Sequence, residues 1–181
     1  MNAVNLKANG MARAFTSYVP ITSIVYGLLF RKSIGVYFGL YALVMDLLNH
    51  FIKKVFKTAY GGRSSVPILG LGGRPDGAKF CGSFVNINKL GNGGKPSTFG
   101  MPSGHAQMAV ITAVFWSMFL HEKYGWDLYN IFAISLLCAV ALGVMYSRCR
   151  FKCHTVQQVI VGGLFGIFFG FVGYKLYRMY F

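Results

Sequence analysis

The chain has 181 residues, of which 55% are apolar and only 12% are charged. A soluble domain usually carries about 25% charged residues, which cover its surface. A soluble globular fold is therefore disfavoured, whereas a bilayer requires apolar residues on the lipid-facing surface.

The charge of the chain is strongly positive, with 18 Lys and Arg residues against four acidic ones and a formal net charge of +14. Three kinds of partner have the complementary charge: nucleic acid, anionic lipid headgroups and a phosphate-bearing substrate. Nucleic-acid binding needs a basic face on a soluble fold, and the sequence indicates no such fold. We therefore expect anionic lipid headgroups or a phosphate-bearing substrate as partners, and no nucleic acid.

Five apolar segments are predicted to cross the bilayer, which takes about 17–25 helical residues. Cations and aromatic residues flank the first two segments, as is typical of membrane interfaces. The sequence thus predicts an all-α, polytopic membrane helix bundle that forms one domain over residues 1–181, with spans at about 15–30, 34–52, 106–120, 128–146 and 156–174.

The segment 53–104 between the second and third spans is rich in Gly, Pro, Asn, Ser and Lys. Loops longer than about 12–15 residues are uncommon and are often functional. We predict that this polar loop contributes to an active site. Five spans place it on the same side of the membrane as the short basic loop 148–154.

The four cysteines are Cys81, Cys138, Cys149 and Cys153. A zinc site would need a second ligand pair beside Cys149 and Cys153, and the sequence has none. In an oxidising compartment a disulfide can form among Cys81, Cys149 and Cys153, although free thiols are equally compatible with the sequence. No metal or other cofactor is predicted, and the sequence does not indicate an oligomeric state.

The tetrapeptide Pro102-Ser103-Gly104-His105 directly precedes the third apolar segment. Ser103 can cap this helix, whose N-terminus favours an anion, and Gly104 lets the backbone approach a ligand closely. His105 at this position can donate a proton to a leaving oxygen. By itself, however, the tetrapeptide is better explained as a helix cap beside an interfacial histidine.

The basic loop between the fourth and fifth spans contains Arg148 and His154. The planar guanidinium of Arg148 matches phosphate oxygens, and the neutral imidazole of His154 can attack phosphorus. Taken alone, however, this segment is better explained as a basic turn that binds lipid headgroups.

Together with Arg74-Pro75, these segments resemble the three-part signature of the type-2 phosphatidic acid phosphatase superfamily: K-x6-R-P, P-S-G-H and S-R-x5-H-x3-D. The second part is complete at 102–105, and the third is present from Ser147 to His154. The resemblance covers about Asn49–Gly163 and implies a metal-independent hydrolase of a lipid phosphate or diphosphate. It implies His154 as nucleophile, His105 as general acid, and a phosphate-binding set of Arg74, Ser103, Gly104, Arg148 and either Lys53 or Lys57.

The first part of the signature is split in this chain. The position seven residues before Arg74 is Pro67 rather than Lys. Lys53, in the phrase NHFIKKVFK, matches the lysine of the family's helix end, so about fourteen residues are inserted before Arg74. Lys57 is an alternative to Lys53, and Arg63 is a weaker alternative to Arg74. The split also supports a second interpretation, in which the chain binds phospholipid as a scaffold or regulator without strong catalysis.

The third part of the signature ends in Gln158, where most of the superfamily has Asp. A carboxamide can orient the imidazole of His154 through its carbonyl oxygen but supplies no charge. The phrase H-T-V-Q-Q resembles the H-T-x-x-Q of the dolichyl diphosphatase branch, which favours a polyprenyl diphosphate or a related substrate.

The side of the membrane that carries these motifs also holds most of the Lys and Arg residues. The positive-inside rule would place such a side in the cytoplasm. The resemblance implies instead a lumenal or extracytoplasmic site, and phosphate binding itself requires part of these cations. We therefore predict an integral, multi-pass membrane protein with a lumenal or extracytoplasmic active site.

Overall fold

The computed structural model describes residues 3–60, 72–75, 78, 81 and 99–181. Its regular structure is five helices: α1 (Ala3–Leu29), α2 (Ser33–Tyr60), α3 (Gly104–Tyr124), α4 (Leu128–Arg150) and α5 (Val156–Tyr180). Within the described ranges there is no strand, only an isolated antiparallel bridge between Gly73 and Phe99. The predicted all-α class is confirmed.

Three of the helices are long and apolar enough to cross a bilayer: Ser33–Thr58 within α2, Leu128–Arg150 and Val156–Tyr180. The apolar part of α1 is shorter and covers Ala14–Leu29. Exposed Leu, Val and Phe side chains cover the outer faces of α4 and α5, as expected where lipid replaces water. The helices form a membrane bundle in which α3 has the largest share of buried residues.

The start of the predicted polar loop is corrected by the structure. Residues 53–60 continue α2 as helix, so the non-helical segment begins after Tyr60 rather than after Ile52. The prediction was wrong because it ended the span at the first lysines. Lysines do not end a helix, because lysine is itself a good helix former. The sequence NHFIKKVFKTAY contains neither Gly nor Pro before Gly61.

The bundle is organised around α3, which packs extensively against both α4 and α5, while α1 packs against α2. Aromatic side chains fill the space between α2, α3 and α5, where Phe38 and Phe115 are fully buried and their ring centroids lie 4.8 Å apart. In contrast, α4 and α5 make few contacts with each other. This arrangement leaves an open cleft between α4 and α5, with α3 as its floor.

The contact between α3 and α5 depends on glycines spaced four residues apart, Gly162, Gly166 and Gly170. A Cβ atom on Gly166 would lie 2.7 Å from the Gln107 carbonyl oxygen, and one on Gly162 would lie 2.5 Å from that of Ser103. Small residues of this kind let membrane helices approach closely. The approach brings the N-terminal ends of α3 and α5 together.

We expect Gly166→Val to lower the stability of the bundle by about 1–3 kcal/mol, because the added side chain overpacks the α3–α5 contact. Thermal unfolding of the purified protein in detergent measures the effect. The matched control is Gly143→Val on α4, where a Cβ atom has no neighbour within 4 Å. Equal losses of stability in the two variants would contradict the packing role of Gly166.

Candidate active site

Two helix N-termini meet at one end of the bundle. Ser103 caps α3, and its Oγ accepts a hydrogen bond from the Ala106 N–H at 3.4 Å. Thr155 caps α5 in a capping box with Gln158. The Ser103 N–H donates to the backbone carbonyl oxygen of Gln158 at 3.0 Å, and this bond connects the first turns of the two helices. Converging N-termini present partial positive charge to one place, which favours an anion there.

His154 lies between these helix starts with its side chain buried. Its Nε2 is 3.2 Å from the Arg74 Nη1, and its Nδ1 is 3.2 Å from the Gln158 Oε1. A guanidinium can only donate, so this geometry assigns the lone pair to Nε2 and the proton to Nδ1. The imidazole therefore presents an unprotonated nitrogen toward Arg74.

The carboxamide of Gln158 has hydrogen-bonding contacts on both of its ends. Its Oε1 faces His154 and also accepts from the Thr155 N–H at 3.3 Å. Its Nε2 donates to the Gly72 and Gly73 carbonyl oxygens at 3.1 Å and 3.0 Å. An aspartate at this position would be shorter and could donate neither bond when ionised. Gln158 therefore links the orientation of the imidazole to the segment that carries Arg74.

Three cations surround the imidazole. Burial lowers the pKa of His154 well below its usual 6.5, and the charges of Arg74, Lys53 and Arg148 lower it further, with a smaller contribution from His105. Arg148 is fully buried at the end of α4. These effects all disfavour the imidazolium. His154 is therefore neutral at physiological pH, and the positive charge around it is available to an anion.

Of the two candidate lysines, the structure brings Lys53 to the site. A Cβ atom on Gly104 would lie 3.7 Å from the Lys53 Nζ, and Lys53 acts electrostatically on His154. Lys57 is exposed one turn further along α2. Arg63 lies outside the described residues.

A buried polar pair beside Gly104 was not predicted. The Asn49 Nδ2 donates to the Gln107 Oε1 at 2.7 Å, and the Gln107 Nε2 donates to the Met45 carbonyl oxygen at 3.4 Å. Both side chains are almost completely buried. The sequence carries a weak signal for this pair, since two amides lie near otherwise apolar spans. They stabilise the contact between α2 and α3, the helices that carry Lys53 and His105.

The structure contains a disulfide between Cys81 and Cys153, one of the pairings that the sequence left open. Cys153 directly precedes His154, and Cys81 lies in the long polar loop. Cys138 and Cys149 are free thiols. Among the residues that the structure describes, no group of three or more His, Cys, Asp or Glu side chains is placed to hold a metal ion.

Comparison with protein families matches residues 34–181 to the PAP2 superfamily. The chain belongs to the PAP2 superfamily. It is 27% identical over 174 residues to dolichyldiphosphatase 1 of Dictyostelium discoideum, covering 91% of this chain and 63% of that protein. It is 30% identical over 148 residues to the chloroplastic lipid phosphate phosphatase epsilon 1 of Arabidopsis thaliana, covering 73% of this chain and 50% of that protein.

This PAP2 chain spans between half and two thirds of the length of these two relatives. No solved structure matches it. This match confirms the family membership that the motifs predicted. The matched region also contains both histidines and both arginines of the candidate site.

The electrostatic arrangement of this PAP2 site predicts that Arg74→Gln raises the pKa of His154. A cation beside an imidazole disfavours its protonated form, so removing that cation lets the pKa move upward toward 6.5. An NMR pH titration of the protein labelled at its histidine side chains measures the change. Lys152→Gln is the matched control, because Lys152 is an exposed cation of the same loop. An unchanged pKa in Arg74→Gln would contradict the proposed charge contact.

Proposed function

We propose that this chain is a membrane lipid phosphatase or diphosphatase that works through a phosphohistidine intermediate without a metal ion. One observation carries the proposal: the buried His154 has its Nε2 lone pair directed at the Arg74 guanidinium, and the charges of Lys53 and Arg148 also act on its ring. A cation cluster of this kind attracts a phosphate, and a lone pair within it can attack phosphorus. The names of the two relatives, a dolichyldiphosphatase and a lipid phosphate phosphatase, support the same class of substrate.

The phosphate would be bound where the two helix N-termini meet. Arg74 and Arg148 would contact its equatorial oxygens with planar, charge-assisted donors, and Lys53 would add a third charge. The Ser103 side chain and the Gly104 N–H would bind the remaining oxygen. Arg74 would turn from the His154 Nε2 to the phosphate when substrate binds, which releases the lone pair for attack.

The reaction would proceed in two steps. The His154 Nε2 forms a bond to the terminal phosphorus while the bond from phosphorus to the leaving oxygen breaks, and His105 gives its proton to that oxygen. A water molecule then attacks the phosphorus of the phosphohistidine, with His105 as the base that receives the water's proton. The bond between phosphorus and the His154 Nε2 breaks, and inorganic phosphate leaves. Stabilisation of the charge on the equatorial oxygens supplies most of the rate enhancement in phosphoryl transfer.

Gln158 would act as a positioning residue for the nucleophile. It holds the Nδ1 proton of His154 through a neutral oxygen, so it fixes the tautomer without raising the basicity of the ring as a carboxylate would. The three cations supply the charge that a metal ion would otherwise contribute.

The lipid part of the substrate has a suitable place in the cleft between α4 and α5. This groove has a volume of about 440 Å³ and an apolar lining that includes Val110, Val114, Cys138, Met145, Gly163 and Ile167. One end of the groove adjoins the site, because Gly163 lines the groove and the preceding residue, Gly162, packs on Ser103. We propose that it holds the hydrocarbon tail next to the reacting phosphate, with the tail entering sideways from the bilayer.

His154→Ala is expected to abolish phosphate release, and His105→Ala to reduce kcat by about 10²–10⁴-fold, the usual contribution of a general acid. Phosphate release is measured from a panel of phosphatidate, polyprenyl diphosphates, sphingoid phosphates and diacylglycerol diphosphate, with and without EDTA. EDTA should not change the rates. Lys57→Ala is the control, since Lys57 is exposed. A folded protein that hydrolyses none of these lipids would instead support the scaffold interpretation.

Filling the groove should select against long tails. We expect Cys138→Phe to lower the ratio of kcat/KM for a long-chain over a short-chain polyprenyl diphosphate by about tenfold, since a hydrophobic pocket discriminates to this extent per group. Leu136→Phe, an exposed position of α4 outside the groove, should leave the ratio unchanged. Equal ratios in all three proteins would rule out the groove as the tail site.

The proposed site is lumenal or extracytoplasmic. The Cys81–Cys153 disulfide supports this side, because disulfides persist in oxidising compartments and are rare in the cytosol. In sealed microsomes, whose outer face is cytosolic, an impermeant maleimide should reach Cys149 of a Cys138→Ser variant only after permeabilisation. Labelling of intact vesicles would place the site in the cytosol.

A further inference from the structure

The Cys81–Cys153 disulfide joins the two segments that carry the arginines of the site. The cysteines are 72 positions apart in the sequence, and their Cα atoms are 5.3 Å apart. Cys153 is completely buried and Cys81 nearly so. The bond therefore lies inside the protein, one residue from the nucleophile.

Each arginine of the site bonds to the cysteine of the opposite segment. The Arg74 Nη1, from the polar loop, donates to the Cys153 carbonyl oxygen at 3.1 Å. The Arg148 Nη2, from the end of α4, donates to the Cys81 carbonyl oxygen at 3.4 Å. The disulfide fixes both carbonyl groups, so it also fixes the acceptors that orient both guanidinium groups.

The described part of the polar loop has no regular secondary structure of its own. Near Arg74 it is held by the two bonds from Gln158 and by the bond from the Gly100 N–H to the Gly72 carbonyl oxygen. At Cys81 the apolar support is a small cluster of Ala78, Cys81, Cys153 and Phe151. A covalent bond that closes a long loop is the strongest constraint available to such a segment.

We propose that the Cys81–Cys153 disulfide is a positioning element that holds Arg74 and Arg148 in the phosphate site, so that its reduction reversibly lowers both phosphate binding and turnover. This inference rests on the proposed function, since it assigns the two arginines to the substrate phosphate. It makes the activity of the chain dependent on the thiol redox state of its compartment.

The redox step is an ordinary thiol–disulfide exchange with a dithiol reductant. One thiolate of the dithiol attacks a sulfur of the cystine and forms a mixed disulfide, and the second thiolate displaces the protein sulfur. Two electrons pass to the protein, two cysteine thiols form with protons from the dithiol and solvent, and the dithiol becomes a cyclic disulfide. Oxidised dithiol or glutathione disulfide reverses the change.

The first test compares the oxidised wild type with the same protein after dithiothreitol treatment. Phosphate release from a polyprenyl diphosphate should fall roughly tenfold to a hundredfold in kcat/KM, the scale expected when a binding group is misplaced by about 1 Å. Reoxidation should restore it. Cys81→Ala/Cys153→Ala should match the reduced protein with or without dithiothreitol. The matched control, Cys149→Ser, removes a free thiol of the same region and should keep the full response.

A second comparison separates positioning from general stabilisation. If the disulfide acts through the arginines, reduction should have much less effect in an Arg74→Gln background than in the wild type, because the two changes affect the same contact. Equal fold-losses in both backgrounds would indicate a general structural role and would overturn the proposal. Size-exclusion chromatography shows whether the variants fold; if the double cysteine variant does not, the reduced wild type carries the comparison.

A binding measurement keeps this test independent of the proposed activity. Orthovanadate, a phosphate analogue, should raise the melting temperature of the oxidised protein. It should bind the reduced protein at least about tenfold more weakly, when it is added after removal of the dithiothreitol that would otherwise reduce it. Absence of lipid phosphate hydrolysis by the oxidised protein would reject the proposed function, and the orthovanadate comparison would still decide the role of the disulfide. Equal orthovanadate affinity and equal turnover in the oxidised and reduced proteins would overturn the inference.

Discussion

The site depends on one side chain, the carboxamide of Gln158, which makes hydrogen bonds in two directions. Its oxygen faces the His154 ring and its nitrogen binds the Gly72 and Gly73 carbonyl oxygens. The amide therefore orients His154, the proposed nucleophile, and holds the segment that carries Arg74. Since both functions require an acceptor and a donor on one planar group, a carboxylate cannot replace it. Gln158 replaces the aspartate that most of the family has at this position, and its carboxamide orients His154 through hydrogen bonds instead of through a charge.

The second constraint is electrostatic. Lys53, Arg74 and Arg148 surround a buried imidazole, and no carboxylate among the described residues contacts it. Like charges repel at short range in a site of low dielectric, so such a cluster is costly to assemble in the absence of an anion. Covalent and hydrogen-bonded links therefore hold it: the Cys81–Cys153 bond, the arginine–carbonyl contacts and the Gln158 amide. A bound phosphate would offset this repulsion between the cations.

Helix packing brings the chemical groups to one place. Glycines at four-residue spacing let α5 lie close against α3, so that the first turns of the two helices are adjacent. The Ser103 N–H then reaches the Gln158 carbonyl oxygen. The same packing leaves α4 apart from α5, and the resulting apolar groove starts beside the candidate site. One set of small residues thus positions the polar groups of the candidate site and the adjacent groove in which we propose that the lipid tail binds.

The sequence by itself determined the all-α class, the family and the order of the apolar segments, because long apolar runs and short motifs are local signals. It also identified His105, His154 and both arginines as candidates. The tertiary structure decided what depends on contacts between distant segments: the choice of Lys53 at the site, the pairing of Cys81 with Cys153, the bonds of Gln158 to Gly72 and Gly73, and the Asn49–Gln107 pair. The continuation of α2 to Tyr60 was missed because a lysine ends an apolar run without ending a helix. No local pattern contains these facts, since each is set by the way the helices pack in three dimensions.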